Sequence, residues 1–297
     1  MRKTLSRRDL IAAAAGAGAL GAFGVPRALA AQLGSTGALG FAEIPDGALA
    51  EQLLYAIPGK LPLIKKTYRP PNFETPVEYF RTAFTPNNAF FVRYHLAGIP
   101  APIKVSDWAL SVSGESAERE LKLTFADLRK LDPVEIAAVC QCSGNRRGLF
   151  EPHVTGVEWG VGAMGNARWK GARLKDILAK AGVKGDALEV VFDGADRAPL
   201  DKTPDFVKSL PIDVALDENT LVAYEMNGKP LPHWNGFPVR LVVPGWTGTY
   251  WMKHLSRIRV VSQPDKNFWM SAAYRIPRRT SRLPPPPWRR TTRPRWP

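Results

Sequence analysis

One stretch of the sequence decides the fold: Val134-Glu135-Ile136-Ala137-Ala138-Val139-Cys140-Gln141-Cys142-Ser143-Gly144-Asn145-Arg146-Arg147. Its apolar first part, residues 134–139, predicts a short buried strand. The small residues 143–145 continue a strand poorly, so we expect the chain to turn there. The turn carries Cys142, and two arginines close behind it favour a thiolate, the form that a soft metal prefers as a ligand. The arginines would also attract an anion beside that metal.

The same residues have a purely structural interpretation. Cys142 would then be a small buried hydrophobe, and the arginines would form surface salt bridges. Cys140 and Cys142 are the two cysteines of the sequence, and positions i and i+2 of a strand are poorly placed for an unstrained disulfide. We therefore expect core packing, rather than crosslinking, to hold the fold together.

The composition is that of a globular protein whose positive charge lies at its two ends. The chain has 297 residues, of which 45% are hydrophobic and 23% are charged, and its net charge is +14. Residues 1–30 carry five basic residues against one acidic residue, and residues 275–297 carry eight arginines and no acidic residue. Residues 31–274 therefore carry only +2, and the overall charge does not predict nucleic-acid binding.

Residues 1–30 have the pattern of an export signal. Ser6-Arg7-Arg8-Asp9-Leu10 precedes an apolar run rich in alanine and glycine, and Ala28-Leu29-Ala30 offers small residues for cleavage. The paired arginines resemble a twin-arginine signal, which predicts recognition by that export machinery and a periplasmic protein. The alternatives are an ordinary secretory signal or an N-terminal anchor helix. The apolar run is short and interrupted by glycine, so we expect no stable membrane anchor.

Between these ends the sequence predicts strands mixed with short helices. Residues 31–90 are rich in proline and predict a wrapping segment with one short helix near Ala48 to Ala56. Thr124 and Asp127 are spaced as a capping box that opens a helix, and Asn227-Gly228 predicts a tight hairpin turn. The remaining predicted elements are strands at 89–96, 108–114 and 188–192 and an amphipathic helix at 174–181 that Gly182 ends.

The segment Gln141-Cys142-Ser143-Gly144-Asn145-Arg146-Arg147 resembles the cysteine loop of the sulfite oxidase family of molybdenum enzymes. Other segments resemble the same family in the same order, and together they cover nearly all of residues 45–274. They are Phe91-Val92-Arg93-Tyr94-His95, 156–159, 167–174, 223–232, 235–245, 250–253 and 267–274. The resemblance implies an α+β fold, with a molybdopterin-binding domain of mixed β-sheets over residues 31–274.

The resemblance also assigns roles to individual residues. It implies that Cys142 is the protein ligand of molybdenum and that the metal is otherwise held by a pterin. It implies catalytic roles for Arg93, Arg147 and Tyr274. The cofactor contacts that it implies are Phe91, Arg93, His95, Asp196, Asn235, Arg240 and Lys253. There is one departure, because many family members carry a histidine where this chain has Asn235, with His233 two residues earlier.

The activity implied is the oxidation of sulfite, or a similar small oxyanion, to sulfate. The sequence contains no Cys-x-x-Cys-His, so we expect no haem in this chain and a separate c-type cytochrome as the electron acceptor. Two alternatives stay open. One is a single-domain molybdopterin reductase that acts on protein methionine sulfoxide, and the other is a truncated, catalytically impaired protein that only binds the cofactor.

The sequence changes character after Tyr274. Residues 275–297 contain four consecutive prolines and paired arginines, which predicts a disordered tail. Sulfite oxidases continue at this point into an immunoglobulin-like dimerisation domain, and we expect that domain to be absent. A frameshift or a divergent terminus would each explain the tail. A basic arm for acidic lipid or nucleic acid is a weaker alternative.

Overall fold

The computed structural model describes residues 52–274. The predicted leader (1–30) and the predicted tail (275–297) lie outside these residues. Within the described part, three β-sheets carry most of the regular structure; three short α-helices lie between strands of the second and third sheets, and a fourth follows the last strand. In the same part, every helix falls short of the length and apolarity that a membrane crossing needs.

The first sheet is antiparallel and has the strand order β1-β2-β3-β4. Its strands are Leu54–Tyr55 (β1), Leu63–Thr67 (β2), Asn72–Glu74 (β3) and Val92–Arg93 (β4). The helix expected near 48–56 is wrong in its described part, because β1 occupies that position. Pro58 and Gly59, with φ of 76°, turn the chain back, and β1 then pairs with β2.

The second sheet is mixed, with the order β10-β9-β14-β5-β6, in which β14 and β5 run parallel and the other pairs are antiparallel. Its strands are Ala109–Ser113 (β5), Leu121–Thr124 (β6), Glu189–Asp193 (β9), Val207–Pro211 (β10) and Arg257–Val261 (β14). Helix α1 (Phe125–Arg129) follows β6, and both halves of the predicted Thr124–Asp127 capping box are present.

The third sheet has the order β12-β11-β8-β7, and β13 pairs with β11. Its strands are Pro133–Gln141 (β7), Met164–Arg173 (β8), Leu221–Met226 (β11), Lys229–Pro230 (β12) and Arg240–Val242 (β13). The predicted hairpin is confirmed, since Asn227 and Gly228 both have positive φ, 51° and 72°. A tight two-residue hairpin turn needs positive φ at both central residues, and asparagine followed by glycine adopts these angles readily.

Strand β7 is longer than predicted and is buried on one face only. Within the described residues it pairs with β8 alone and forms an edge of its sheet. Its side chains alternate, so Ala138 and Cys140 are buried while Val139 is 47% exposed. The apolar run is therefore a period-two strand at an edge, and it carries Cys142 from the sheet into the interior.

The helices are short, and α2 (Leu174–Ala181) follows the prediction. Its buried residues recur on one side of the helix, and Gly182 ends it with φ of 72°. Helix α3 spans Ile212–Ala215 and α4 spans Phe268–Ser271. Helix α4 ends three residues before the end of the described chain and packs near β10.

Two hydrophobic clusters hold the sheets together. The larger one contains four buried tryptophans, Trp108, Trp159, Trp169 and Trp251, and Trp169 packs edge-on against both Phe90 and Trp251. The smaller one lies under the first sheet and consists of Ile57, Leu63, Phe73, Val92 and Tyr94. A fully buried side chain of this size contributes roughly 1.5–3 kcal/mol by removing apolar surface from water.

Glu74 joins the first sheet to the segment beside the cysteine loop. Its buried carboxylate accepts hydrogen bonds from the amides of Gly160 and Gly162, both at 2.7 Å, and Lys66 Nζ lies 3.4 Å away. The carbonyl of the next residue, Ala163, accepts a hydrogen bond from the Cys142 amide at 2.9 Å. One carboxylate at the end of β3 therefore fixes the strand-like segment against which Cys142 is placed.

We expect Glu74→Gln to lower the free energy of unfolding by about 1–3 kcal/mol, because a buried amide cannot accept from both N–H groups as well as a carboxylate does. Chemical denaturation monitored by tryptophan fluorescence measures the change. Glu78→Gln is the matched control, since Glu78 is exposed four residues later. Equal stability of the two variants would contradict the role given to Glu74.

Candidate functional site

All predicted site residues except Arg147 line one cleft. Its empty volume is about 620 Å³ and it is open to solvent. The predicted residues in its lining are Phe91, Arg93, His95, Cys142, Asp196, Asn235, Arg240, Lys253 and Tyr274. Arg93 lies on a strand of the first sheet and Arg240 on a strand of the third, while the other residues lie in the segments between or after the strands. The fold thus collects residues that lie up to about 180 positions apart in sequence.

Cys142 lies in the cleft wall, where the chain leaves β7. Its side chain is buried, and the Gly144 amide points at its sulfur with an N–S distance of 3.4 Å. The loop closes on itself through a hydrogen bond from the Asn145 amide to the Cys142 carbonyl. Asn145 Oδ1 also accepts from the Ala163 amide at 3.0 Å. The sulfur therefore has a fixed position and faces the cleft.

The other cysteine differs in position and in chemistry. Cys140 lies behind Cys142, with its sulfur 3.8 Å from Arg240 Nη2. Burial raises the pKa of the Cys140 thiol to about 11, although Arg240 opposes this shift. Both cysteines are free thiols, as expected from their spacing. Only Cys142 lines the cleft.

Arg147 is not among the residues that line the cleft, and its expected role in anion binding stays a prediction. Its guanidinium packs against the backbone of Gly144 and Gly156 and donates to the Val157 carbonyl at 3.3 Å. Gly156 has φ of 129°, and its lack of a side chain lets the guanidinium approach. The geometry gives Arg147 the role of bracing the cysteine loop from the side away from the cleft.

Arg93, His95 and Tyr274 form one end of the cleft. The Arg93 guanidinium donates to the Tyr94 carbonyl and to Asn72 Oδ1, the latter at 3.2 Å. His95 Nε2 is hydrogen-bonded to the Tyr274 hydroxyl. Burial lowers the pKa of His95 well below its usual value, and Arg93 and Lys253 lower it further, so the imidazole is neutral. Burial raises the pKa of Tyr274, so its hydroxyl keeps its proton.

An aromatic wall holds His95 in place. Phe206 stacks on the imidazole with ring centroids 3.7 Å apart and an interplanar angle of 9°. Trp269 of α4 packs edge-on against both rings, at 5.1 Å from each. The sequence analysis gave no role to either residue: Phe206 is an isolated aromatic residue and is typical of a core, and Trp269 lies in the family-like segment 267–274, where only Tyr274 received a role.

Lys208 lies behind this wall and was also missed. Its Nζ donates to the Trp269 carbonyl at 2.9 Å and lies 4.4 Å from the Tyr250 ring centroid and 5.1 Å from that of Tyr274. Burial lowers the pKa of Lys208 from 10.5 to about 8, with Asp265 opposing. A lysine on β10 carries no sequence signal that distinguishes it from a surface lysine.

The other end of the cleft is positively charged and buried. The Arg240 guanidinium donates to the carbonyls of Asn235 and Trp251, both at 3.1 Å, and lies 5.0 Å from the centroid of the Trp169 ring and 5.7 Å from that of the Trp251 ring. Its Nε is buried without a hydrogen-bond partner among the described residues. Burial lowers the pKa of Arg240, which expresses the poor solvation of this charge.

Lys253 adds a second cation to this end. Its Nζ donates to the Arg93 carbonyl at 2.6 Å and lies over the Tyr94 ring, 2.8 Å from the centroid. Burial lowers the pKa of Lys253, Arg240 lowers it further, and Asp196 opposes both. Burial raises the pKa of Asp196 to about 6, against the opposing effect of Lys253. Among the described residues that line the cleft, Asp196 is the carboxylate available to balance these cations.

A buried tyrosine–histidine pair supports Lys253 from below. The Tyr94 hydroxyl lies 2.7 Å from His254 Nε2, and His254 Nδ1 lies 2.7 Å from the Phe237 carbonyl. A carbonyl can only accept, so Nδ1 carries the proton and Nε2 accepts from Tyr94. Burial lowers the pKa of His254 to about 3, in agreement with a neutral ring. The pair keeps the Tyr94 ring under the ammonium group.

Comparison with known proteins supports one family. The model of the family described as "Oxidoreductase molybdopterin binding domain" matches residues 96–269. Mitochondrial sulfite oxidase of Rattus norvegicus is 40% identical over 215 residues, which are 70% of this chain and 38% of the rat protein. The Homo sapiens protein of the same name is 39% identical over 227 residues, covering 73% of this chain and 41% of that protein.

One solved structure has the same fold. The sulfane dehydrogenase SoxCD from Paracoccus pantotrophus superposes with a TM-score of 0.63 and covers 86% of this chain and 59% of that chain. Its sequence identity is 23%, so the likeness concerns the fold alone. The chain spans about two fifths of the length of the rat and human relatives.

The residues present fit a molybdenum–pterin cofactor. Such a group needs a thiolate ligand for the metal and a buried positive site for its phosphate. Cys142 faces the cleft, and Arg240 and Lys253 bring charge that Asp196 cannot fully balance. The unpartnered Arg240 Nε is a free donor at that buried end.

We expect Lys208→Met to remove a pH dependence of stability. Between pH of about 8 and 10.5 the unfolded chain keeps a proton on Lys208 that the folded chain has lost, so wild-type stability should rise with pH relative to the variant. The difference should grow by about 1–2 kcal/mol between pH of about 7.5 and 9.5. Urea denaturation at both pH values measures it, and Lys202→Met, at an exposed lysine, should show no such growth. A constant difference would contradict a lowered pKa of Lys208.

Proposed function

Because the chain belongs to the sulfite oxidase family of molybdopterin-binding oxidoreductases, we propose that it oxidises sulfite to sulfate in this cleft. The observation that carries the proposal is the gathering of Cys142, Arg93 and Tyr274 in the lining of one cleft whose other end is buried and basic. A thiolate, a half-buried cation and a protonated phenol are the groups that a metal-centred oxidation of a small oxyanion requires.

In this proposal Cys142 supplies the thiolate ligand of molybdenum. Arg240, Lys253 and Asn235 hold the phosphate of the pterin, and Phe91, His95 and Asp196 contact the rest of it. When bound, the molybdenum–pterin supplies the two-electron redox chemistry that converts sulfite to sulfate. The fixed position of the Cys142 sulfur, set by the Ala163 carbonyl and the Gly144 amide, supports its role as a ligand.

Arg93 attracts the oxyanion and orients it. Its guanidinium has five N–H donors. Two hydrogen bonds, to the Tyr94 carbonyl and to Asn72 Oδ1, both come from Nη1. The remaining N–H groups can form charge-assisted hydrogen bonds to a sulfite oxygen. Arg93 is only half-buried, so an anion can reach it from solvent.

Tyr274 orients the anion through its hydroxyl, and His95 holds that hydroxyl. In the tautomer with the proton on Nε2, His95 donates to the phenol oxygen and leaves the Tyr274 O–H free to donate to the substrate. A neutral imidazole can adopt this tautomer, and burial keeps His95 neutral by lowering its pKa. The stacked Phe206 ring prevents rotation of His95 away from Tyr274.

For the electrons we propose a separate c-type cytochrome as acceptor, and for location the periplasm, reached by the twin-arginine route. The support is in the sequence: Ser6-Arg7-Arg8-Asp9-Leu10 at the start, and two cysteines that are not spaced for haem attachment. Cell fractionation of the wild-type chain and of an Arg7→Lys, Arg8→Lys variant tests the location.

We expect Cys142→Ser to lose bound molybdenum and to lower sulfite oxidation by more than about 100-fold, because a hydroxyl is a poor ligand for a soft metal. Metal analysis measures the bound molybdenum, pterin fluorescence measures the cofactor content, and sulfite-dependent cytochrome c reduction measures the activity. Cys140→Ser is the matched control and should keep its molybdenum. Undiminished sulfite oxidation by Cys142→Ser would exclude the proposed ligand. Reduction of methionine sulfoxide without sulfite oxidation would replace the proposal by the reductase.

We expect Arg93→Gln to raise the KM for sulfite by about 10–100-fold, because it removes charge-assisted hydrogen bonds to the anion. The molybdenum content should stay within about twofold of wild type. Steady-state kinetics, with rates expressed per bound molybdenum, corrects for that difference. Arg168→Gln removes the same charge from an exposed side chain on β8 and should leave KM unchanged. An unchanged KM in Arg93→Gln would remove Arg93 from the anion site.

A further inference from the structure

Lys60 is a buried lysine that the proposed chemistry leaves unused. It is 7% exposed and lies in the loop between β1 and β2, before residue 96 where the family match begins. Its Nζ donates to three oxygens: the Asn87 carbonyl at 2.7 Å, the Phe90 carbonyl at 2.9 Å and Asn235 Oδ1 at 2.5 Å. All three hydrogens of the ammonium group therefore have acceptors, and the described contacts include no carboxylate.

The contact with Asn235 continues into the cleft. Asn235 is 2% exposed, and with Oδ1 held by Lys60 its Nδ2 donates to the Phe91 carbonyl at 3.2 Å. Its backbone carbonyl accepts from Arg240 Nη1 at 3.1 Å. Lys60 thus contacts Asn235, and Asn235 in turn contacts the Arg240 guanidinium. Lys60 also donates to the carbonyl of Phe90, the residue before Phe91.

The charge of Lys60 is poorly compensated where it lies. Burial lowers the pKa of Lys60 well below its usual value, and repulsion from Arg240 lowers it further. An amide and two carbonyls offset only part of the loss of hydration of a buried ammonium group. Such a residue is unfavourable in an empty site and becomes favourable when an anion binds nearby, because the anion's charge stabilises its protonated form.

We propose that Lys60 is a positioning residue of the cofactor site: it fixes Asn235 and Arg240 for the phosphate of the bound group and adds positive charge behind them. The inference rests on the proposed function, in which Asn235, Arg240 and Lys253 hold a phosphate-bearing pterin. It assigns to a lysine from the first sheet the support of an asparagine 175 residues away. The loop between β1 and β2 is then part of the site rather than a cover for it.

A thermodynamic comparison separates positioning from simple structural support. Lys60→Met and wild type are each prepared with cofactor and, from a host that cannot make molybdopterin, without it. Thermal unfolding of all four samples gives the stabilisation that the cofactor provides to each chain. A residue with a structural role alone changes both samples of its variant equally, whereas a positioning residue changes the difference between them.

We expect the wild-type chain to gain more from the cofactor than Lys60→Met does, and the variant to retain pterin about tenfold less tightly in a dilution assay, as expected for the loss of hydrogen bonds to a charged group. Lys65→Met, at a lysine that stacks on the exposed rings of Tyr55 and Tyr68, is the matched control and should retain pterin as wild type does.

A second variant covers a failure of Lys60→Met to fold. In Asn235→Ala, Lys60 keeps its hydrogen bonds to the Asn87 and Phe90 carbonyls but loses its contact with the site. This variant should lose pterin to the same degree as Lys60→Met, and retention of pterin at the wild-type level would overturn the proposal. If wild type and Lys60→Met bind the cofactor equally well, this inference is overturned and the proposed function stands. A wild-type chain without molybdenum and pterin overturns both.

Discussion

The structure depends on the burial of positive charge with too few carboxylates to balance it. Arg240, Lys253 and Lys60 lie within one region, and burial lowers the pKa of each of them. Their hydrogen bonds go mainly to backbone carbonyls, and Asp196 is the acidic side chain beside them. Buried ions without partners are strongly unfavourable, so the region is complementary to an anion that the chain itself does not supply.

The same hydrogen bonds also organise the backbone around the cleft. Lys253 donates to the carbonyl of Arg93, so the cation of the basic end fixes the residue that presents a guanidinium at the other end. Arg240 joins the turn at Asn235 to the loop at Trp251. Because each cation bonds to backbone rather than to a mobile carboxylate, the positions of the charges and the paths of the loops are determined together. The same hydrogen bonds therefore fix both the charged groups and the backbone of this site.

Sequence reasoning succeeded where the signal lies in neighbouring residues. The capping box at Thr124, the helix ended by Gly182 and the hairpin at Asn227-Gly228 are local, and all three are present. It failed at β1, where pairing across the turn at Pro58 and Gly59 overrides a helical pattern. The fold was expected to be α+β with mixed sheets, and the parallel pair of β14 and β5 in an otherwise antiparallel sheet agrees with this.

The candidate site divides in the same way. Segments that resemble the family pointed to residues that line the cleft, because those residues sit in recognisable runs of sequence. Lys60 and Lys208 had no such run, since a single lysine reveals its burial only when distant strands pack over it. Arg147 shows the opposite limit, because its place next to Cys142 in sequence did not determine which way its side chain turns. Gly156 decides that direction by leaving room for the guanidinium on the far side of the loop.

The two ends of the cleft solve different problems with the same kinds of residue. At the basic end, the deep burial of Arg240 keeps water from competing for its guanidinium, which strengthens its attraction for a permanently held anion, and the partly exposed Lys253 adds a second positive charge. At the other end Arg93 and His95 are half-buried, so a small anion can enter and leave. Phe206 and Trp269 shield the imidazole, which must stay neutral to hold the Tyr274 hydroxyl while Arg93, Lys253 and Lys208 lie nearby. Cys142 lines the same cleft as both groups of residues, so a cofactor held through its sulfur would share that cleft with an exchanging substrate.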